Sequence, residues 1–148
     1  MDIRSGAGYP ASALSNFAPR QFVFDGVECN SAEGLLQAFK SRYEHVQVEI
    51  CKLVGFKAKK RGSEINWKKD QILYWKGVEY KRDSEEYQEL LDRAYDAMLE
   101  QSESFRKALL ATGDAVLKHS IGKRDAAETV LTEREYCSRL TRCRAKIS

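Results

Sequence analysis

Residues 14–40 read LSNFAPRQFVFDGVECNSAEGLLQAFK, and the order of turn and helix signals in this stretch decides the fold. Phe22, Phe24, Val27 and Cys29 flank Asp25-Gly26. Asp-Gly between short β-prone runs is a strong hairpin signal. An isolated two-stranded hairpin is marginal in water, so this one must lean on helices. Asn30 then offers an N-cap, with Glu33 three residues on as its capping-box partner. In the helix that follows, Leu35, Leu36, Phe39 and Tyr43 share one face. Glu33, Gln37 and Lys40 form a polar stripe beside that face.

Outward from this stretch the chain reads mostly helical. Residues 1–13, rich in Gly, Ala and Ser, read as loop. Val46, Ile50 and Leu53 mark a second helix that stops near Gly55. Residues 57–69 are basic and read as mostly loop-like, and Ile72–Trp75 is a short apolar run of either type. Ser84 caps a helix to Gln101, with Leu90, Leu91, Ala94, Tyr95, Met98 and Leu99 as its buried stripe. Ser104 can cap another helix, which ends at Thr112-Gly113. Thr132 or Glu133 starts the last helix, with Tyr136, Leu140 and Cys143 inward and Arg134, Arg139, Arg142, Arg144 and Lys146 outward. The expected fold class is α+β: one helix-dominated domain over residues 1–148 with a small hairpin or sheet.

The chain of 148 residues suits one domain, and at 43% hydrophobic it can bury a core without disulfides or metals. A net charge of +3 favours an anionic ligand slightly and does not by itself indicate nucleic-acid binding. The first residues show no positive n-region followed by an apolar core, so no signal peptide is read. No apolar run approaches the roughly 20 residues needed to span a bilayer. Cys29, Cys51, Cys137 and Cys143 form no CxxC pair, and His45 and His119 are not at zinc-ligand spacing. These thiols fit reduced residues of a cytoplasmic protein, and no metal or cofactor is implied.

Several polar groups carry two readings. Glu33 is a helix cap or a general acid/base on a first turn, where the helix terminus also favours an anion. Lys40 is a surface lysine, a holder of phosphate or ribose oxygen, or, if desolvated, a nucleophilic amine. Gln37 lies between them as donor and acceptor. Trp67 and Trp75 suit a core, and a tryptophan beside a basic loop can also stack on a ring. Lys57, Lys59, Lys60 and Arg61 are a solvated run or an attractor of phosphates. His119, Asp125 and Glu128 fall in a polar segment between helices, a position from which loops often supply catalytic groups. There is no GxGxxG, Walker A, nucleophile elbow or HExxH.

LSNF, then FVFDG, then SAEGLLQAFK resembles the opening of the NADAR family, also called YbiA-like. GFKAKKRG and LEQSESFRKALLATGDAVL are similar to its later segments, so the resemblance spans about residues 9–120. The chain departs from that pattern at Gly34, where the family often has His, and at Ser102, where it has Asn. It also lacks the family's Trp-Gly after Asp125.

The resemblance implies hydrolysis of an N-glycosidic bond. The implied substrate and partner is ADP-ribosylated guanine, in a nucleotide or nucleic acid, or another phosphorylated riboside such as a ribosylamino-pyrimidine intermediate of riboflavin biosynthesis. It further implies Glu33 and Lys40 as the catalytic pair, and Asn16, Phe17, Gln37, Lys57, Arg61, Trp67, His119 and Asp125 at the substrate. A non-catalytic reader of ADP-ribose and a nucleic-acid-binding accessory protein are the other classes open to this sequence.

Overall fold

The computed structural model describes residues 1–148. Its elements run α1 (Ala11–Leu14), β1 (Pro19–Phe24), β2 (Val27–Ser31), α2 (Ala32–Ala38), α3 (Glu44–Cys51), α4 (Phe56–Ser63), β3 (Ile72–Trp75), β4 (Val78–Lys81), α5 (Glu85–Gln101), α6 (Glu103–Ala111), a 3₁₀ turn (Ala126–Glu128) and α7 (Glu133–Ile147). Helices dominate, and the strands form two separate antiparallel hairpins, as the α+β reading expected. No helix is long and apolar enough to cross a membrane.

The Asp-Gly hairpin forms as read. Phe24 pairs with Val27, and Asp25 and Gly26 take φ of 48° and 79°, the left-handed values a two-residue hairpin turn needs. The second hairpin repeats this at Lys76-Gly77, with φ of 49° and 83°. Lysine rarely adopts that conformation, so this turn and β4 carried no sequence signal. The two turns are tied together. Asp25 accepts from Trp75 Nε1 at 2.8 Å and from Arg93 Nη1 at 2.9 Å, and Lys76 Nζ donates to Asp25 O at 2.6 Å. Phe24 stacks on Trp75 with ring centroids 5.6 Å apart.

Helix α2 is placed by a cap one residue later than the sequence suggested. Strand β2 continues through Ser31, whose Oγ accepts from Gly34 N at 3.0 Å. Asn30 instead donates its side-chain amide to Lys52 O at 3.0 Å, closing the end of α3. Glu33 is therefore not a capping-box partner. The helix stops at Ala38, so Tyr43 leaves the apolar face, becomes the N-cap residue of α3 and is exposed. Every residue of α2 is buried.

Three other expectations are corrected. Residues 56–63 are helical, because Gly55 at φ 59° turns the chain after α3 and the lysines and arginine that follow are good helix formers. Ala58 and Gly62, one turn apart, press α4 onto the core side. Ser102, not Ser104, caps α6, accepting from Phe105 N at 3.2 Å. Arg139 does not face outward. It is buried against α5, with Nε 3.1 Å from Asp92 and Nη2 donating to Gln88 O at 3.0 Å. Arg142 and Lys146 also pair with α5, through Asp96 at 2.9 and 3.0 Å. The basic side of α7 is thus largely a clamp on α5. Ser84 and Thr132 cap α5 and α7 as expected, the latter with a full capping box through Glu135.

One contiguous apolar cluster draws on both hairpins and on α1, α2, α3, α5, α6 and α7. Phe39, Trp75 and Tyr87 meet edge to face at its centre. Backbone meets backbone most closely at Gly34, where a Cβ would stand 2.7 Å from Leu53 O and 2.9 Å from Ile50 O. Gly34→Ala forces backbone apart and lowers stability by about 2 kcal/mol, the overpacking penalty less the gain in helix propensity. Urea unfolding measures it, and an unchanged midpoint would show that the α2–α3 contact yields freely.

Candidate active site

A cavity of about 580 Å³ opens beside α2, a size suited to a small organic ligand. Glu33, Leu36 and Gln37 form one wall, since positions three and four apart share a helix face, and Lys40 extends it from the turn after α2. Asn16 and Phe17, from the loop before β1, form a second wall. Lys59 of α4, with Trp67 and Lys68 from the chain that follows, forms a third. The segment from His119 to Lys123 and residues 128–131 complete it, and Arg4 reaches it from the N-terminal segment.

Glu33 is buried at 9% exposure, and its Oε1 accepts from Gln37 Nε2 at 2.8 Å. Its backbone N–H donates to Asn16 O at 3.0 Å, joining α2 to the loop before β1. Burial pushes the carboxyl above the usual carboxylate range, against the opposing pull of Gln37, Lys59, Lys40 and His119. Gln37 is buried too, and Gly62 makes room for it: a Cβ there would stand 1.8 Å from Gln37 Oε1.

Lys40 follows α2, seven residues and about two helical turns beyond Glu33. Its amine is brought down to about 8, chiefly by desolvation. Glu33 opposes that shift, while Lys68, Lys123 and Lys59 add to it. Asn16 is oriented from behind by Tyr95, whose hydroxyl donates to Asn16 Oδ1 at 2.9 Å. Phe17 lies under Lys59, with the ammonium 6.0 Å from the ring centroid.

The structure therefore gathers Asn16, Phe17, Glu33, Gln37, Lys40, Trp67 and His119 around one space. Trp67 also belongs to the core, being 4% exposed, so it serves as wall rather than as a free stacking platform. Lys57, Arg61 and Asp125 are not part of the lining. The helical pitch of α4 turns Lys59 toward the cavity and leaves Lys57 exposed elsewhere, while Arg61 lies 3.9 Å from Glu64. Asp125 caps the 3₁₀ turn, accepting from Ala127 N at 3.0 Å.

Arg4 and Lys123 also line the cavity without having stood out in the sequence, while Lys68 was noted only as part of the basic 57–69 stretch and Tyr136 only as an inward residue of the last helix. They reach it from distant segments. Lys68 is paired with Glu128 at 3.0 Å, whereas Lys59 and Lys123 have no carboxylate partner. No three His, Cys, Asp or Glu side chains lie close enough to hold a metal ion. The arrangement can bind anionic groups along its lysines and present a buried carboxyl and a partly desolvated amine to a bound molecule.

Comparison with known proteins agrees with this architecture. The fold matches the NMR structure of the E. coli protein YbiA with a TM-score of 0.65, at 19% identity, over 99% of this chain and 83% of that one. The class is thus that of YbiA-like α+β proteins, as the opening motifs implied. Within it, the chain belongs to the family described as bacteriophage protein GP30.3, which it matches over residues 8–145. It is 38% identical over 138 residues to an uncharacterized 17.1 kDa protein of the Gp30-rIII intergenic region of Enterobacteria phage T4, covering 92% of this chain and 91% of that protein.

Lys40 is expected to titrate near pH 8, and Glu33→Gln to lower that midpoint further, since the carboxylate charge is what holds it up. Acylation of Lys40 as a function of pH, followed by peptide mass spectrometry, reads both values. A midpoint at the ordinary 10.5 would refute the desolvated amine.

Proposed function

We propose that this protein is an N-glycosidase that cleaves the C1–N bond of a phosphorylated riboside, with ADP-ribosyl-guanine as the leading substrate. The observation that carries this reading is the placement of Glu33 and Lys40: a buried carboxyl on α2 and a half-buried amine just beyond its end, opening on one cavity whose rim is lysine-rich. Membership of a YbiA-like family and the LSNF and SAEGLLQAFK motifs support it. A riboflavin-pathway ribosylamino-pyrimidine has the same bond and the same phosphorylated ribose, and is the second substrate to test.

The chemistry follows from the bond. Breaking C1–N develops positive charge at C1 and the ring oxygen. A carboxylate held out of water gains more from that charge than a hydrated one, so the stabilisation falls on the transition state. Glu33 fills that role. Asn16 holds a ribose oxygen and Phe17 stacks on a ring. Lys59 and Lys123 meet the phosphates. Lys40 has two routes. As an ammonium it binds the sugar or a phosphate. As an amine it attacks C1 of the opened ribose, forms an imine as the base leaves, and is freed by water. Its value of about 8 keeps the second route open, because the free-amine fraction near neutrality is far larger than that of an ordinary lysine at 10.5.

The decisive measurement is a substrate panel of ADP-ribosylated DNA, ADP-ribosyl-guanosine and the pyrimidine riboside, with released base read by chromatography. Binding of ADP-ribose without any released base would favour a reader over an enzyme. Glu33→Gln is expected to lower kcat by about 10²–10³. Activity of the wild type falls as pH drops through the Glu33 value, so the acid limb lies above the ordinary glutamate range of 4.5. On the amine route activity climbs toward pH 8 and borohydride traps substrate on Lys40; on the ammonium route it declines above 8 with no adduct. Retained hydrolysis by both folded Glu33→Gln and Lys40→Ala proteins would remove the mechanism.

A further inference from the structure

His119 is a second proton-handling group in the same cavity, and its chemical form is set by a segment far away in sequence. Residues 1–3 run beside residues 118–120. Ile3 N donates to Lys118 O at 2.7 Å, Lys118 N donates to Met1 O at 2.8 Å, and Ser120 donates to the Asp2 carboxylate through N at 2.9 Å and Oγ at 2.6 Å. This pairing puts His119 Nδ1 2.5 Å from Ile3 O. A carbonyl oxygen only accepts, so Nδ1 carries the hydrogen, and the neutral ring keeps its lone pair on Nε2.

The other sides of the ring are also fixed. Tyr136 meets it edge to face, with centroids 5.0 Å apart and planes at 90°. Gly122, in the same loop, packs close to the Cδ2 edge and leaves no room there for a side chain. A Cβ there would stand 2.5 Å from His119 Cδ2 and 3.3 Å from Nε2. Nε2 makes no hydrogen bond within the protein, and His119 lines the cavity that contains Glu33. A histidine whose tautomer is set by a backbone carbonyl, with its basic nitrogen left unpaired at a cavity wall, is arranged as a base rather than as a packing residue.

We propose that His119 is a catalytic residue that takes a proton from the water attacking C1, an assignment that rests on the N-glycosidase reading of this cavity. Water oxygen bonds to C1 while its proton passes to Nε2. The electron pair of the broken C1–N bond stays on the base nitrogen, which receives the proton back from the imidazolium. The ring returns to its neutral form, and one water has been added across the bond. On the imine route the same base activates the water that frees Lys40. Glu33 and His119 then divide the work: the buried carboxylate meets positive charge at carbon, and the imidazole moves the proton. The ionisable groups around the ring are Asp2 and Arg4 from the N-terminal segment, Lys123 on its own loop, Glu133 and Tyr136 on α7, and Glu33 on α2.

The test is His119→Asn. An asparagine amide can still donate to Ile3 O from near the Nδ1 position, but nothing replaces Nε2. The expected result is an unaltered melting temperature, a kcat lower by about 10²–10⁴ with KM little changed, and partial recovery on adding free imidazole. Recovery by a small base is not expected of a residue that only packs. Wild-type kcat in His119→Asn, or a loss that imidazole does not relieve, overturns the assignment and leaves the Glu33 reading standing. Absence of turnover by the wild type on the whole substrate panel overturns both. Should His119→Asn fail to fold, Gly122→Ala displaces the ring while keeping it, and an undiminished kcat in that variant overturns the assignment equally.

Discussion

Ser31 Oγ sits between two helices, accepting from Gly34 N at the start of α2 and donating to Leu53 O beyond the end of α3 at 2.8 Å. That one hydroxyl joins β2, α2 and α3. The approach it fixes is so close that only glycine fits at position 34. With α3 against its first turn, α4 against Gln37 through Gly62, and the aromatic core behind, α2 has no solvated side. A polar stripe that would otherwise point to water therefore ends up lining an interior cavity. The buried Glu33, its hydrogen bond to Gln37 and the lowered proton affinity of Lys40 all follow from this enclosure.

The far walls are held by buried polar contacts rather than by regular structure. Arg82 grips Glu135 with two hydrogen bonds of 3.0 and 2.6 Å and donates from Nε to Thr129 O at 2.8 Å. Tyr87 donates to Val130 O at 2.5 Å. These bonds pin residues 129–131 where they line the cavity. On the opposite side, Arg20 donates to Ala13 O at 2.6 Å, Tyr136 donates to Leu14 O and Tyr95 holds Asn16. The loop carrying Asn16 and Phe17 is thus fixed from within the core. Breaking a buried ion pair by removing one partner costs about 3–5 kcal/mol, so such walls are expensive to deform. A rigid wall is what positions reacting groups without reorganisation.

Burial acts on the two central groups in opposite directions. It raises the carboxyl of Glu33 and lowers the amine of Lys40, so each charged form is held above its free energy in water. The two are not in ion-pair contact, and neither offsets the other in full. A ligand that brings phosphates to the lysines, or positive charge to the carboxylate, relieves this unfavourable state. The cavity is thereby disposed toward a ligand with negative charge at one end and positive charge at the other.

Much of the local structure was legible in the sequence. Asp25-Gly26, Ser84 and Thr132 act through their own backbone neighbourhoods, so their turn and caps formed where the residues indicated. The LSNF and SAEGLLQAFK motifs carried the YbiA-like fold, and Glu33 and Gln37 shared a face because helical spacing requires it, while Lys40 reaches the same cavity from the turn beyond α2. Helix α4 was missed because its charged residues hide the small pair, Ala58 and Gly62, that docks it. Arg139 was placed outside because periodicity says which residues share a face and not what covers that face. For the same reason the burial of Glu33, the turn of Lys59 inward and Lys57 away, and the meeting of Ile3 with His119 were decided only by tertiary structure. Local backbone preference acts over a few residues and can be read along the chain. Desolvation depends on what packs from segments distant in sequence, and it is desolvation that turns a surface stripe into a candidate site.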